Sequence, residues 1–356
     1  MAKIRLAIIG TGGMANGHVR RFREEDDVEI VACCDIVAAR AKEFAERHNI
    51  PVWYDDFETL LAREQLDAVS VVTSDAAHCP VSVAALRRGL HVLCEKPMAT
   101  SLAEARQMYR AAKAAGKMNM IQFSYRPYPA LDLARRIIDE GHLGKVKHIE
   151  ASYLQSWLAQ PAWGDWHEKT AFLWRMSKKH GGGTLADIGC HILDFTTYAA
   201  GDIREVSCQM KSFPKGVPRN MWRGYRLDAD DSFFATVEFA SGALGVVHAT
   251  RWASGHHNAL RLRIFGDKGG LVVDSEVGRD KVQVCVGDFH VRGALWNTVT
   301  ATTPEESVYK RFIRSIRTGK PEAPTFADGL RVQAYLEACR KSAATGRPVN
   351  VRGDWK

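Results

Sequence analysis

The chain has 356 residues, of which 46% are hydrophobic and 25% are charged, the proportions of a globular protein long enough for two domains. Lysine and arginine outnumber aspartate and glutamate by 49 to 41, but the basic residues are scattered among acidic ones on amphipathic segments. This pattern is typical of solvated helix faces, and it argues against a nucleic-acid partner.

The eight cysteines contain no C-x-x-C pair, and most lie in apolar stretches, which indicates reduced, buried thiols in a cytoplasmic protein. The N-terminal run "MAKIRLAIIG" is apolar only briefly before a glycine-rich turn. A signal peptide needs a cleavage site of small residues, and a membrane span needs ~20 apolar residues. We therefore expect neither a signal peptide nor a membrane partner.

Strands and helices alternate strictly over the first third of the chain. The predicted strands are the apolar segments 4–10, 28–35, 66–73, 91–97 and 118–123. The predicted helices are the amphipathic segments 13–24, 37–49, 80–88 and 101–115. Apolar strands separated by helices predict a doubly wound parallel sheet covered on both faces, as in a Rossmann domain, over residues 1–123.

The pattern changes after residue 123. A predicted helix over 129–140 leads into the alternating strand 145–157. A second helix near 185–200 precedes several long alternating segments joined by glycine-containing turns. These features predict an α/β domain with an open, mainly antiparallel sheet over residues 124–304.

The C-terminal region, 305–356, contains two further predicted helices, at 305–318 and 327–345. We expect these helices to return to the first domain. The open face of the antiparallel sheet has half-apolar strands and needs covering, which favours a homodimer or homotetramer.

The first predicted strand ends in "GTGGMA", a glycine pattern of the G-x-G-x-x-G/A type that opens a helix. Gly10, Gly12 and Gly13 allow a tight turn and a close approach to a pyrophosphate, with Met14 at the start of the helix. Backbone N–H groups there bind the phosphate charge. The pattern therefore predicts a dinucleotide-binding loop, and the alternative is a tight turn that binds no phosphate.

An acidic residue, Asp35, ends the second predicted strand, where a carboxylate accepts hydrogen bonds from the adenosine ribose and repels a 2′-phosphate. This position favours NAD over NADP, although Arg40, one helical turn later, would soften the preference. A helix-capping role for Asp35 is the alternative, and it is compatible with cofactor binding.

The fourth main strand ends in "EKPMA". Pro97 ends the hydrogen bonding of the strand and forces Lys96 into an extended conformation, so the backbone is fixed where this cation leaves the sheet. The carboxyl edge of an open parallel sheet is also where ligands bind. These features favour a functional lysine over an ordinary surface lysine.

A second cluster, "GGGTLADIGCHILDF", spans residues 181–195. If the chain is a regular helix from residue 185, Asp187, His191 and Asp194 share one face, and a histidine oriented by a carboxylate suits proton removal from a hydroxyl. Two alternatives stay open. Either Asp187 complements the helix N-terminus while His191 packs in the core, or the cluster binds a metal with His167. We expect no metal, because a dinucleotide already supplies an electrophile.

Together, "GTGGMA", "EKPMA" and "GGGTLADIGCHILD" resemble, in this order, the motifs of the Gfo/Idh/MocA family, which includes glucose–fructose oxidoreductase and inositol dehydrogenase. The resemblance covers roughly residues 4 to 345. It implies that Lys96, Asp187 and His191 converge on the carbinol that is oxidised. His191 would be the general base, Asp187 its orienter and a ligand of the substrate hydroxyl, and Lys96 the electrostatic partner.

The same resemblance implies that Thr73, His78, Glu95 and Lys96 contact the cofactor. It also implies that Tyr125 or Arg126, in the "YRPYP" segment, lies near the substrate. For this segment a hinge turn made by two prolines is an equally good alternative.

The stretch before the glycines is rich in aromatic residues, among them Trp163 and Trp174. Flat apolar faces with a polar edge suit the C–H face of a sugar ring, and Arg175 would donate hydrogen bonds beside them. The alternative is that these tryptophans pack in the core or at a subunit interface.

These observations predict an NAD(H)-dependent oxidoreductase, with NADP less favoured, that acts on a secondary alcohol or ketone of a sugar, sugar derivative or cyclitol. Two other functions stay open. One is a dinucleotide- and sugar-binding regulator that does no chemistry. The other is an NAD-dependent enzyme that cleaves glycosides through a transient keto-sugar.

Overall fold

The computed structural model describes residues 3–161, 163–351 and 353, and the chain divides into two compact units. The first unit comprises residues 3–124 and 306–333, and the second comprises residues 125–305 and 334–351. The division after residue 124 lies next to the predicted one. The C-terminal region differs from the prediction, because its residues from 334 onward group with the second unit.

The first unit is a six-stranded parallel sheet with helices on its connections, in the strand order β3-β2-β1-β4-β5-β6 that is typical of a Rossmann domain. Its strands are β1 (Ile4–Ile9), β2 (Val28–Cys34), β3 (Val52–Tyr54), β4 (Ala68–Val71), β5 (His91–Cys94) and β6 (Asn119–Ile121). The helices between them are α1 (Ala15–Phe22), α2 (Ala38–Arg47), α3 (Phe57–Arg63), α4 (Asp75–Arg87) and α5 (Leu102–Ala115).

The second unit is built on a nine-stranded sheet in the order β16-β15-β14-β13-β7-β12-β11-β8-β17. Its strands are β7 (Val146–Gln155), β8 (Ile203–Lys211), β11 (Ser232–Phe239), β12 (Leu244–Thr250), β13 (Asn258–Gly266), β14 (Gly269–Asp274), β15 (Lys281–Val286), β16 (Asn297–Thr300) and β17 (Val349–Asn350). A two-stranded ribbon is formed by β9 (Met221–Trp222) and β10 (Tyr225–Arg226). The pair β7–β12 is parallel and the others are antiparallel, which confirms a mainly antiparallel sheet.

The remaining helices are α6 (Pro129–Asp139), α7 (Cys190–Ala200), α8 (Asp288–Gly293), α9 (Val308–Thr318) and α10 (Phe326–Thr345). In the first unit α9 contributes Phe312 and Ile313 to the core around β1 and β2. A π-helix, Leu185–Gly189, runs directly into α7. Among the described residues, we find no helix with the length and apolar character that crossing a bilayer requires.

One face of the nine-stranded sheet is buried, with Val206, Val237 and Val247 at most 4% exposed. The opposite face keeps apolar surface. Phe234 is 53% exposed and stacks on His248 of the neighbouring strand, with ring centroids 5.0 Å apart. The alternation expected for a half-exposed sheet is therefore present, but the outer face is less polar than that of a typical solvated sheet.

All eight cysteines are free and buried, four in each unit. Burial and the nearby carboxylate of Asp35 raise the pKa of Cys33 to about 12. Burial, with the neighbouring carboxylates of Asp56 and Asp35, raises that of Cys34 to about 12. The thiols behave as small apolar core groups.

Candidate active site

The glycine-rich turn follows β1 and opens α1. Gly10 has φ +96°, and a Cβ atom there would lie 2.4 Å from the carbonyl oxygen of Val72, so only glycine fits. At Gly12 and Gly13 an added Cβ would meet nothing within 4 Å, which leaves the backbone open to a ligand. Met14, just before α1, is 58% exposed. This turn fits a dinucleotide pyrophosphate held by N–H groups at the start of α1.

Asp35 follows β2 and is bonded to that turn. Its Oδ2 accepts hydrogen bonds from the backbone N–H of Thr11 at 3.1 Å and from the Thr11 hydroxyl at 2.9 Å. Its Oδ1 accepts from the N–H of Val37 at 3.0 Å and from Arg40 at 2.8 Å. Burial alone would raise the pKa of Asp35, but these donors hold it below its ordinary value, so the carboxylate is charged at neutral pH. A charged acceptor beside the turn is what ribose binding requires.

His78 and Thr73 differ in accessibility. The Thr73 side chain lies beyond β4, is partly exposed, and donates to the Ser74 carbonyl oxygen at 3.2 Å. His78 in α4 is fully buried, with Nδ1 2.9 Å from the Pro97 carbonyl oxygen and Nε2 3.3 Å from that of Thr73. The ring is enclosed between two stretches of backbone, and this burial does not support the predicted cofactor contact of His78.

The "EKP" segment begins directly after β5. Glu95 is 7% exposed, its Oε1 lies 3.0 Å from Nε2 of His18, and its Oε2 accepts the Lys96 N–H at 3.1 Å. The structure thus gives Glu95 a place in a buried network, which differs from the predicted cofactor contact. Lys96 itself is partly exposed at the carboxyl end of the sheet.

In the second unit, the π-helix Leu185–Gly189 follows the glycines. Hydrogen bonding from i to i+5 widens this turn, so the regular-helix spacing predicted for Asp187 and His191 is wrong here. Asp230 accepts the N–H of the first residue of the turn at 2.8 Å. A Cβ atom on Gly183, which has φ +136°, would lie 2.4 Å from Oδ1 of Asp230, so the glycine is needed for this approach.

Asp187 is held by two arginines. Its Oδ2 lies 2.7 Å from Nη2 of Arg251 and 3.4 Å from Nε of Arg175. Arg251 is fully buried, donates to the Arg175 carbonyl oxygen at 2.8 Å, and lies 5.0 Å from the centroid of the Trp157 ring. Arg251 was not predicted, because a single arginine after a strand carries no motif. Arg175, predicted to donate to the substrate, forms an ion pair here with Asp187.

His191 lies beside a cluster of phenols and amides. Its ring meets Tyr125 edge-on, with centroids 4.8 Å apart. The Tyr125 hydroxyl is 2.5 Å from that of Tyr153 and accepts from Nδ2 of Asn258 at 2.7 Å. Oδ1 of Asn258 accepts from Tyr153 at 2.6 Å and from Gln155 at 2.9 Å. Burial, then the neighbouring Tyr125, raise the pKa of Tyr153 well above its ordinary value, so its phenol stays protonated. The sequence predicted only Tyr125 of this cluster.

Arg126 and Asp194 form a separate buried pair. Nε of Arg126 donates to Oδ2 of Asp194 at 2.9 Å, and each residue is 1% exposed. The guanidinium also lies 4.4 Å from the centroid of the Tyr198 ring. The substrate contact predicted for Arg126 is therefore not supported, and a structural role fits better. Within the described part of the chain, no group of three or more His, Cys, Asp or Glu residues is arranged to hold a metal ion.

The tryptophans form a small second core rather than a single binding surface. Trp157 and Trp166 are buried in it, and Trp163 packs against it. Trp163 and Trp174 keep part of their rings exposed, and the guanidinium of Arg175 lies 4.5 Å from the centroid of the Trp174 ring. The predicted contact of Trp163 and Trp174 with a sugar ring therefore stays a proposal.

Comparison with known proteins gives the same two-part division. Residues 4–123 match the family described as "Oxidoreductase family, NAD-binding Rossmann fold", and residues 131–272 match the "GFO/IDH/MocA C-terminal domain". The chain is 32% identical to D-glucoside 3-dehydrogenase of Escherichia coli, over 98% of this chain and 97% of that protein. It is 29% identical to levoglucosan dehydrogenase of Pseudarthrobacter phenanthrenivorans, over 99% of each chain.

A solved structure of levoglucosan dehydrogenase in complex with NADH and levoglucosan has the same fold. It superposes with a TM-score of 0.84 at 27% sequence identity, over 99% of this chain and 100% of that one. The similarity therefore extends over both units.

Proposed function

The chain belongs to the Gfo/Idh/MocA family of oxidoreductases, and on this premise we propose that it transfers hydride between NAD and a secondary alcohol of a sugar ring. Glycosides and anhydro-sugars are the first substrates to consider, followed by cyclitols and free aldoses. This order is supported by the relatives named for D-glucoside and levoglucosan. In both of these sugars the anomeric carbon is blocked.

The observation that carries the proposal is the connected cluster of Tyr125, Tyr153, Asn258 and Gln155 beside His191. A polyol presents several hydroxyl groups that both donate and accept hydrogen bonds. Phenols and amides also do both, and a site whose polar groups pair with substrate hydroxyls discriminates strongly against analogues that lack them.

In the proposed oxidation, His191 accepts the proton of the carbinol hydroxyl while the hydride leaves the carbon that bears this hydroxyl. NAD, when bound, supplies the hydride acceptor. Lys96 stabilises the negative charge that develops on the oxygen, and Asp187 binds the hydroxyl and orients His191. The products are the ketone, NADH and one proton. These roles of Lys96, Asp187 and His191 are the ones that the family resemblance implies.

The test is NADH formation in the presence of a panel of methyl glycosides, anhydro-sugars, cyclitols and aldoses, followed by ultraviolet absorbance. We expect steady accumulation of NADH with at least one free polyol or glycoside. NADH binding without turnover on the whole panel would favour the regulator, and release of an aglycone without net NADH would favour the glycoside-cleaving enzyme.

A variant pair tests the polar cluster itself. Asn258→Ala should raise the KM for the sugar, because two phenols lose their amide partner, and should leave the KM for NAD unchanged. The matched control is Asn297→Ala on the exposed strand β16. Equal sugar KM values for both variants and the wild type would remove the cluster from the substrate site.

We further propose a homodimer or homotetramer formed through the outer face of the nine-stranded sheet. The exposed apolar side chains Phe234 and Leu244, 53% and 61% accessible, support this assignment. Phe234→Glu should shift the sedimentation coefficient toward that of the monomer. An unchanged coefficient would place the interface elsewhere.

We also propose a reducing compartment, the cytoplasm, as the site of action. Eight free, buried thiols support it, because proteins of oxidising compartments usually pair their cysteines. Fractionation of the cells that express the protein tests this location.

A further inference from the structure

A buried histidine lies behind the strand end that carries Lys96. His18 belongs to α1, the helix opened by the glycine-rich turn, and it is fully buried. Its Nε2 is 3.0 Å from Oε1 of Glu95, and its Nδ1 is 2.8 Å from the hydroxyl of Ser70 in β4. Three parts of the first unit therefore meet at this imidazole: the helix α1, the central strand β4 and the "EKP" segment.

The direction of the hydrogen bond to Glu95 follows from its charge. Burial alone would raise the pKa of Glu95, but the hydrogen bond and charge of His18, followed by Lys96, hold it below its ordinary value. An ionised carboxylate only accepts hydrogen bonds, so Nε2 of His18 carries the proton. Burial and the Glu95 carboxylate also raise the pKa of Tyr309, which meets the His18 ring edge-on at 5.0 Å.

The backbone on both sides of Lys96 is fixed. On one side, Oε2 of Glu95 accepts the Lys96 N–H at 3.1 Å, so the carboxylate that His18 holds also holds the lysine backbone. On the other side, the enclosed ring of His78 lies 2.9 Å from the Pro97 carbonyl oxygen.

Stability is a weak reason for such an arrangement. A buried carboxylate loses its hydration, and apolar side chains of similar volume often stabilise a core equally well or better. The ionised carboxylate of Glu95 is nevertheless present, and it is bonded to the backbone N–H of Lys96, the residue with the proposed chemical role. We propose that His18 is a positioning residue that, through Glu95, fixes the backbone from which Lys96 reaches the carbinol. This inference rests on the proposed function of Lys96.

Three histidine variants test the inference in the full-length protein. Glutamine places its amide nitrogen close to the position of Nε2, so His18→Gln keeps a donor to Glu95, whereas His18→Asn cannot reach it. We expect His18→Asn to lower kcat on the order of 10²-fold, the cost of a small displacement of a catalytic group, with the Kd for NADH within about threefold of the wild type. His18→Gln should recover kcat to within about tenfold of the wild type. The control is His91→Asn, which changes a histidine at the opposite end of β5, where Nδ1 accepts the Met118 N–H at 2.9 Å, and should leave kcat unchanged.

A second measurement does not depend on turnover. Trace acetylation with acetic anhydride, read by mass spectrometry of the peptide that contains Lys96, reports the reactivity of this amine in each variant. We expect His18→Asn to change it at least threefold relative to the other lysines, and His18→Gln and His91→Asn to leave it unchanged. Ser70→Ala, which keeps the contact between His18 and Glu95, should also leave it unchanged.

The outcomes separate the two proposals. If His18→Asn keeps both kcat and Lys96 reactivity at wild-type values, or if Asn and Gln lower both equally, the positioning role is wrong whatever the substrate. If the wild type oxidises no polyol but Lys96 reactivity follows the expected order, the proposed function fails and the positioning role stands. Where His18→Asn fails to fold, Glu95→Gln replaces it, and unchanged Lys96 reactivity in that variant overturns the inference.

Discussion

The strand end that carries Lys96 and the π-helix that carries Asp187 are fixed by different kinds of contact. At the strand end, the group that is held is the backbone, since the Glu95 carboxylate accepts the Lys96 N–H and the preceding strand is part of a regular parallel sheet. At the π-helix, charged side chains are the main partners, since Arg251 pairs with Asp187 and Asp230 caps the first turn. A substitution at the strand end should therefore mainly change the placement of Lys96, whereas one at the π-helix should mainly lower the stability of the second unit.

The largest effect should come from His191→Asn. Removing the general base should lower kcat by roughly 10²–10⁴ and flatten the limb of the pH–rate profile that rises with pH. NADH should still bind, because the dinucleotide turn lies in the first unit. The measurement is kcat for polyol oxidation across pH, with NADH titration by fluorescence as the control. A variant that keeps its rate and its pH limb would make His191 a packing partner of Tyr125.

Arg251→Met should destabilise the second unit by about 3–5 kcal/mol, because it leaves the Asp187 carboxylate buried without its closest cation. Urea unfolding of the variant measures this loss. The double variant Arg251→Met with Asp187→Asn should regain much of it, since both charges are then absent. Equal stability of the single and double variants would show that the pair is not the dominant contact of the π-helix.

Asp35→Ser should raise the KM for NAD roughly 10–100-fold, the equivalent of losing a hydrogen bond to a charged group. The ratio of kcat/KM values should shift toward NADP, because the repulsion of a 2′-phosphate disappears while Arg40 remains. Arg40→Ala is the complementary control and should increase the preference for NAD. An unchanged ratio in Asp35→Ser would remove Asp35 from the ribose site.

The smallest effect concerns stability in mild acid. Burial and the nearby Lys117 lower the pKa of His91 to about 4, from 6.5 in the unfolded chain. The unfolded state therefore binds the proton first, so this contribution to stability is complete above pH 6.5 and is lost as the pH falls toward 4. His91→Asn should flatten the dependence of Tm on pH across this window. A wild-type slope in the variant would assign the acid sensitivity to other groups.

The features that could be predicted are local in sequence. The alternation of strands and helices in the first unit follows from patterns a few residues long, and so do the glycine turn and the position of Lys96. The strand β3 and the helix α3 were missed, since β3 has only three residues, two of them exposed, and α3 has only two turns. A capping signal was nevertheless present, because Asp56 accepts the Thr59 N–H at 2.7 Å.

The features that could not be predicted depend on contacts distant in sequence. Arg251 lies 64 residues from Asp187, and Asn258 lies 133 residues from Tyr125. Neither residue belongs to a motif, and each acquires its role only when the nine-stranded sheet places it. The π-helix could not be predicted either. Its hydrogen bonds span one residue more than those of an α-helix, and no residue type demands that difference.

The burial of the thiols gives the protein a built-in reporter of local opening. A cysteine that is enclosed and protonated resists alkylation, and it reacts only when the surrounding structure exposes it. The first unit holds Cys33, Cys34, Cys79 and Cys94, and the second holds Cys190, Cys208, Cys285 and Cys339. Pulsed alkylation followed by peptide mass spectrometry would therefore time the exposure of each unit separately, without any engineered cysteine. A sugar or NADH that protects only one set of four would identify the unit it stabilises.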